Sequence, residues 1–167
     1  KNLKNFIKSK NSWCASSTHY NEEKICGQTH LHLNEKYKNL LTIIIPRHIN
    51  RVDTIKKELE NLKLKVHVDE PKRKISSKTD VYLVNSYGKT KLFYKECNNV
   101  FLGGSMINRG GQNPLEAVRY GCNIFHGPNV SNFKEIYWFL KNKNLSKKVN
   151  NYKNLANLLD LTFKNKT

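Results

Sequence analysis

Short apolar runs rich in β-branched residues alternate along the chain with helix-length stretches whose apolar positions recur every three or four residues. That alternation predicts an α/β domain in which helices cross over between mainly parallel strands. The clearest strand is 40–46, Leu-Leu-Thr-Ile-Ile-Ile-Pro, apolar without alternation and stopped by proline, as a strand buried on both faces should be. Residues 12–15, 65–68, 80–84, 99–102 and 123–125 read as further strands, with the polar, lysine-rich segment 69–79 as a loop. Helices are expected at 22–34, 89–97, 114–120 and 132–141, and at 52–62, where Ile55, Leu59 and Leu62 form one stripe. The tail 146–164 carries Leu155, Leu158, Leu159 and Phe163 at helical spacing. The sum is a Rossmann-like domain over 1–167, with a mainly parallel sheet of about six strands flanked by helices and no internal repeat or boundary.

In such a sheet, ligands bind outside the carboxyl ends of the strands, and the loops there carry the unusual chemistry. The most specific is 101–116, Phe-Leu-Gly-Gly-Ser-Met-Ile-Asn-Arg-Gly-Gly-Gln-Asn-Pro-Leu-Glu. Glycines let a ligand approach the backbone. Asn113 stands as a helix cap with Pro114 as the first helical residue, and the free N–H groups of that helix suit a phosphate. Glu116 either stabilises the first turn electrostatically or accepts hydrogen bonds from ribose hydroxyls. Capping accounts for Asn113 and Pro114 but not for four glycines, which favours a ligand. Pro46-Arg47-His48 ends the central strand, where Arg47 can grip a phosphate through paired N–H bonds and His48 can donate one more. Ser16-Ser17-Thr18-His19 precedes Glu22 and Glu23, acids that any helix start favours, so only His19 is left over. Asn85-Ser86-Tyr87-Gly88 is a plain turn by composition.

Thirty Lys and Arg against thirteen Asp and Glu give a net charge of +17, which brings anionic partners into view: nucleic acid, a membrane surface or a phosphorylated substrate. The excess is almost all lysine and comes with abundant Asn and Ile, the signature of AT-biased coding on any solvated surface. It is dispersed, without an Arg-rich or aromatic-interleaved stripe, so nucleic acid is not an expected partner. No apolar stretch approaches the roughly 18 residues of a spanning helix, and the N-terminus lacks the apolar core of a signal peptide. Cys14, Cys26, Cys97 and Cys122 are scattered, as free thiols in a reducing compartment would be. His30 and His32 would face apart on their helix with no cysteine nearby, so no metal site is expected, and no nucleophile elbow is present. The chain begins at Lys1 and its only methionine is Met106, as expected of a piece of a longer protein.

In this order the motifs resemble the C-terminal half of the Kdo (3-deoxy-D-manno-octulosonic acid) transferases, glycosyltransferases with the two-domain GT-B fold. The matching residues are Trp13, Ala15, Ser17, Thr18, His19, Glu22 and Glu23, then Ile45-Pro46-Arg47-His48 with Arg51, then Asp80-Val81, Gly88 and Phe93-Tyr94. They continue through Val100-Phe101, Gly103-Gly104-Ser105, Gly110-Gly111-Gln112-Asn113-Pro114-Leu115-Glu116, Gly127-Pro128 and Asn132-Phe133. The resemblance implies a domain that binds CMP-Kdo, in an enzyme that transfers Kdo to a lipid A precursor for lipopolysaccharide, releasing CMP with inversion. The family's nucleotide contacts fall on Pro46 and Arg47, on Gly88, Lys89 and Thr90, and on Asn113, Pro114, Leu115 and Glu116, with Ser17, Thr18 and His19 near the donor's sugar or carboxylate. It implies no cofactor and no metal.

The chain departs from the family at three points: Asn21 stands where a glycine precedes the Glu-Glu pair, and Asn85 and Lys89 replace the acids of an Asp-x-x-Gly-Glu turn. Asn tolerates a left-handed backbone, so the first turn can survive. The family's general base, a glutamate, lies in the N-terminal domain with the acceptor site and a membrane anchor, so no catalytic residue is expected in this chain. The resemblance places the domain on the cytoplasmic face of the bacterial inner membrane, its lysines against anionic lipid. The fragment alone is expected to bind donor weakly and not to turn over, because a GT-B cleft closes between two halves. The competing readings are a GT-B domain for another donor, such as a UDP-sugar, and a basic nucleic-acid-binding module.

Overall fold

The computed structural model describes residues 2–165. Seven parallel strands form one sheet: β1 (Asn11–Thr18), β2 (Leu40–Pro46), β3 (Val66–Val68), β4 (Val81–Leu83), β5 (Asn99–Leu102), β6 (Asn123–His126) and β7 (Ser146–Lys148), in the order β3-β4-β2-β1-β5-β6-β7. α1 (Asn2–Lys8) precedes β1, α2 (Glu22–Asn34), α3 (Val52–Asn61), α4 (Thr90–Glu96), α5 (Leu115–Arg119) and α6 (Lys134–Asn142) run between strands, and α7 (Tyr152–Lys164) follows β7. This is the expected Rossmann-like α/β architecture, with one more strand than the apolar pattern indicated.

The β2 run is buried at every position because β1 and β4 flank it and helices cover both faces. The two-residue side-chain period divides its side chains: Leu40 and Ile44 enter a core under α2, α3 and α7, and Leu41, Ile43 and Ile45 enter a second core with Phe93, Ala117 and Tyr137. Leu155, Leu159 and Phe163 of α7 close the first core, as their spacing predicted. All four cysteines are buried, and burial pushes the Cys122 thiol up to about 11. Among the described residues no helix is long and apolar enough to cross a membrane, and no group of His, Cys, Asp and Glu is placed to hold a metal ion.

The differences from expectation have simple causes. β7 is Ser-Lys-Lys, an edge strand held by backbone pairing to β6, so it has no apolar pattern to reveal it. α1 is seven residues long and places Ile7 in the second core. β1 extends to Asn11–Thr18 because its polar ends still pair with β2. α5 starts at Leu115, with Pro114 as its cap residue in place of Asn113. Asn113 still contributes, since its side-chain Oδ1 accepts the Leu115 N–H at 3.0 Å.

The strand order sets the functional geography. From β1 the chain lays β2, β3 and β4 on one side and then crosses to β5, β6 and β7 on the other. The switch point therefore lies between β1 and β5, and the crevice beyond their carboxyl ends is where this fold class binds ligands.

Candidate functional site

The loops at the switch point are joined into one rim by hydrogen bonds. β1 bulges at Ser17, which has φ 58°, and its register against β2 shifts there. A left-handed non-glycine residue at this place is the kind of local strain that gathers at binding sites. The bulge brings the Thr18 carbonyl to the Arg47 N–H at 3.0 Å, tying the ends of β1 and β2 together. His19 follows, with its Nδ1 3.1 Å from the Ser17 carbonyl and its ring edge-on to His48 at 6.0 Å. Arg47 is exposed on this rim, and among the described residues its guanidinium makes no ion pair.

The Glu-Glu pair does much more than favour a helix start. The Glu22 side chain is fully buried and accepts the N–H groups of His19 (2.9 Å), Gly104 (2.8 Å), Ser105 (3.2 Å) and Met106 (3.0 Å). Successive N–H groups pointing at one anion form a nest of the kind that binds phosphate, and here the protein fills it with its own carboxylate. Glu23, equally buried, takes a two-pronged bond from Arg51 at 3.0 and 2.8 Å, which raises the guanidinium's proton affinity and fixes α2 to the start of α3. Asn21 adopts φ 74° just before them, so it makes the turn for which the family uses glycine.

The structure also explains the glycines from within the protein. A Cβ on Gly103 would lie 2.3 Å from the Ser17 carbonyl oxygen, and one on Gly110 would lie 2.3 Å from the Asn132 side chain. Gly104 and Gly111 have φ of +70° and +81°. The loop therefore needs its glycines to fold against β1 and the β6 loop, and they do not by themselves argue for a ligand. Anion-binding capacity remains at the start of α5 and on Arg47.

Glu116 and Thr90 meet, with the Thr90 hydroxyl donating to Glu116 Oε1 at 3.0 Å, so the β4 loop and the glycine-rich loop form one wall. Lys89 instead extends to Asp69, Nζ to Oδ2 2.7 Å, and Tyr82 donates to the other oxygen of that carboxylate. Its ammonium is thus committed to an internal pair. Gly88, beside it, has φ +84° and open space around it. Pro46 is buried at the end of β2, while Leu115 is half-exposed on α5.

On the far side, Ser105 Oγ accepts the Gly127 N–H at 2.8 Å, and the Tyr137 hydroxyl donates to the Gln112 carbonyl at 2.7 Å. Tyr137 packs on buried His126 at a centroid distance of 4.5 Å. Burial holds the His126 imidazole below the usual histidine range, against the opposing pull of the Gly127 carbonyl. A lowered folded-state value means that the unfolded chain binds the proton more readily. The stabilisation is complete above pH of about 6.5 and is lost as pH falls through that value toward the folded-state one. Unfolding midpoints should fall on acidification from pH 7 to pH 5, and less steeply in His126→Gln; equal slopes in both proteins would exclude His126 as the cause.

No protein-family profile matches the chain. Individual relatives do. A 3-deoxy-D-manno-octulosonic acid transferase of Haemophilus influenzae is 34% identical over 128 residues, 77% of this chain and 30% of that protein. A probable mitochondrial enzyme of the same name from Arabidopsis thaliana is 30% identical over 126 residues, 74% of this chain and 28% of that protein. The chain thus spans less than half the length of curated relatives such as these, 30% and 28% of the two. Among solved structures, the C-terminal CMP-Kdo binding domain of WaaA from Acinetobacter baumannii superposes with a TM-score of 0.88 at 25% identity, covering 95% of this chain and 83% of that domain. In sequence and in fold alike, the chain belongs to the 3-deoxy-D-manno-octulosonic acid transferase family, as a counterpart of its C-terminal domain.

Proposed function

We propose that this chain is the donor-binding part of a glycosyltransferase that moves Kdo from CMP-Kdo to a lipid A precursor, releasing CMP with inversion at the anomeric carbon. The observation that carries this reading is the rim at the β1/β5 switch point, with Arg47 unpaired and Glu116 tied to Thr90, in a fold matching a CMP-Kdo binding domain. As an acceptor hydroxyl attacks the anomeric carbon, the bond to the CMP phosphate breaks and negative charge grows on the leaving phosphate. Arg47 and the N–H groups in the first turn of α5 beyond Leu115 offset that charge, Asn113, Pro114 and Leu115 shape the turn that presents them, and Glu116 receives a ribose hydroxyl. The β1 bulge at Ser17, Thr18 and His19 faces the sugar and its carboxylate, and Gly88, Lys89 and Thr90 line the opposite wall through backbone groups.

The general base and the acceptor site belong to the N-terminal half of the enzyme, so this chain alone binds donor and does not turn over. The acceptor is a lipid, which sets the enzyme to work at a membrane surface, the cytoplasmic face of the inner membrane.

Titration of CMP, UMP and UDP, followed by thermal shift, tests this directly. CMP should bind preferentially. Arg47→Ala and Glu116→Ala should each weaken CMP about tenfold, the scale of a charge-assisted hydrogen bond, while melting within about 2 °C of the parent. Binding of UMP or UDP without CMP would point to another sugar donor, and unchanged CMP affinity in both variants would remove the proposed site.

A further inference from the structure

The outer edge of the sheet carries a surface that nucleotide binding does not use. α6 buries Tyr137 and Leu140 and turns the adjacent Trp138 and Phe139 outward, 70% and 53% exposed, and Leu145 follows at 41% in the turn into β7. Two neighbouring aromatic rings left in water on a nine-residue helix are unusual. Around them stand Lys134, Lys141 and Lys143 with Lys147 and Lys148 of β7, all exposed, and the acid among them is Glu135. Lys143 Nζ lies over the Phe139 ring, 5.7 Å from its centroid. Beside Trp138 runs a groove of about 640 Å³, lined by four of these lysines and by Ser146, whose buried hydroxyl has no hydrogen-bond partner among the described residues.

Lysines on an edge strand are an ordinary defence against strand pairing, and that accounts for Lys147 and Lys148. It does not account for Trp138 and Phe139, which lie on the helix. A second copy of the chain is a poor occupant, since it would set the same five lysines against each other. The combination of an apolar aromatic centre and a cationic surround matches an anionic bilayer: Trp and Phe settle at the boundary between headgroups and acyl chains, and lysines reach the phosphates.

We propose that the α6 and β7 edge is a docking face for an anionic phospholipid bilayer, with Trp138 and Phe139 entering the interface and the surrounding lysines contacting headgroups. This deepens the membrane-surface reading above, on which its physiological sense rests. Vesicle binding by this face is nevertheless independent of nucleotide specificity, so the CMP titration and the vesicle experiment can fail separately.

The test is co-sedimentation of the chain with vesicles of phosphatidylglycerol and phosphatidylcholine in equal parts, beside vesicles of phosphatidylcholine alone. Binding should be confined to the anionic vesicles and should weaken with salt. Trp13 is buried, so a shift of tryptophan emission to shorter wavelength on binding should come from Trp138 and vanish in Trp138→Phe. Trp138→Ala with Phe139→Ala, and separately Lys147→Glu with Lys148→Glu, should each weaken binding at least about tenfold. Lys38→Glu with Lys57→Glu, exposed lysines elsewhere, should change it little. Absent binding, parent-like binding by the aromatic variant, or an equal loss in the Lys38 and Lys57 variant would overturn the proposal. So would inorganic phosphate competing at micromolar concentration, or Trp138-dependent self-association, which would mark a soluble-anion site or a protein interface.

Discussion

Glu22→Ala is expected to lower the melting temperature by about 10 °C and to weaken CMP binding at the same time. The carboxylate accepts four backbone N–H groups from two loops, and two of them, on Gly104 and Ser105, are buried. Each buried donor left without a partner costs about 1–3 kcal/mol, while water can reach the other two, so a loss of about 4 kcal/mol is expected. For a chain of this length each kcal/mol corresponds to about 2–4 °C. Affinity falls as well, because 103–106 is the root of the segment that presents Asn113 to Glu116. Glu22→Gln, with one oxygen kept and an NH2 facing N–H donors, should fall between. A melting temperature within about 2 °C of the parent for Glu22→Ala would show that the loop holds its shape without this anchor.

Gly103→Ala should be at least as damaging. Its Cβ would sit 2.3 Å from the Ser17 carbonyl oxygen and 2.8 Å from the Thr18 Cα, both backbone atoms at the bulge of β1. Neither can retreat without opening the central ladder, where the Gly103 N–H donates to the Ser16 carbonyl at 2.8 Å. A loss of at least about 3 kcal/mol is expected, measured as a shift of the urea midpoint at constant slope. Gly121→Ala is the matched control: its φ is +77° but nothing lies within 4 Å, so only the left-handed penalty of about 1 kcal/mol applies. Similar midpoints for the two variants would mean that strands β1 and β5 yield where the structure has them locked.

The contrast between these two glycines shows where reading a chain without its fold stops. Gly103, in a Gly-Gly pair of the motif loop, and Gly121, in a turn, are both visible as glycines, but which one a side chain would wreck depends on a strand 86 positions away in one case and on open solvent in the other. The same holds for Glu22, whose partners at 104–106 lie on the far side of four strands in sequence. Helix-start electrostatics predicted a favourable but replaceable acid, and the tertiary fold makes it the anchor of the loop. Lys89 was legible as a cation next to the motif, but its pairing with Asp69 was not, because the loop between them has no periodicity to fix its path.

What the amino-acid sequence determined by itself is whatever is written in local patterns: the β2 run, the helix stripes, the α/β class, and the glycine, proline and arginine signals at strand ends. Those patterns survive because burial on one face or two imposes a period, and turns demand particular residues. β7 escaped because three backbone-paired residues at an edge need no apolar side chain. Only the tertiary structure decided which loops share the crevice, that Glu22 fills the nest the glycines build, that Thr90 and Glu116 meet, and that Trp138 and Phe139 are left outside. These depend on contacts between segments far apart in sequence. Strand order sets such contacts, and no local pattern encodes that order.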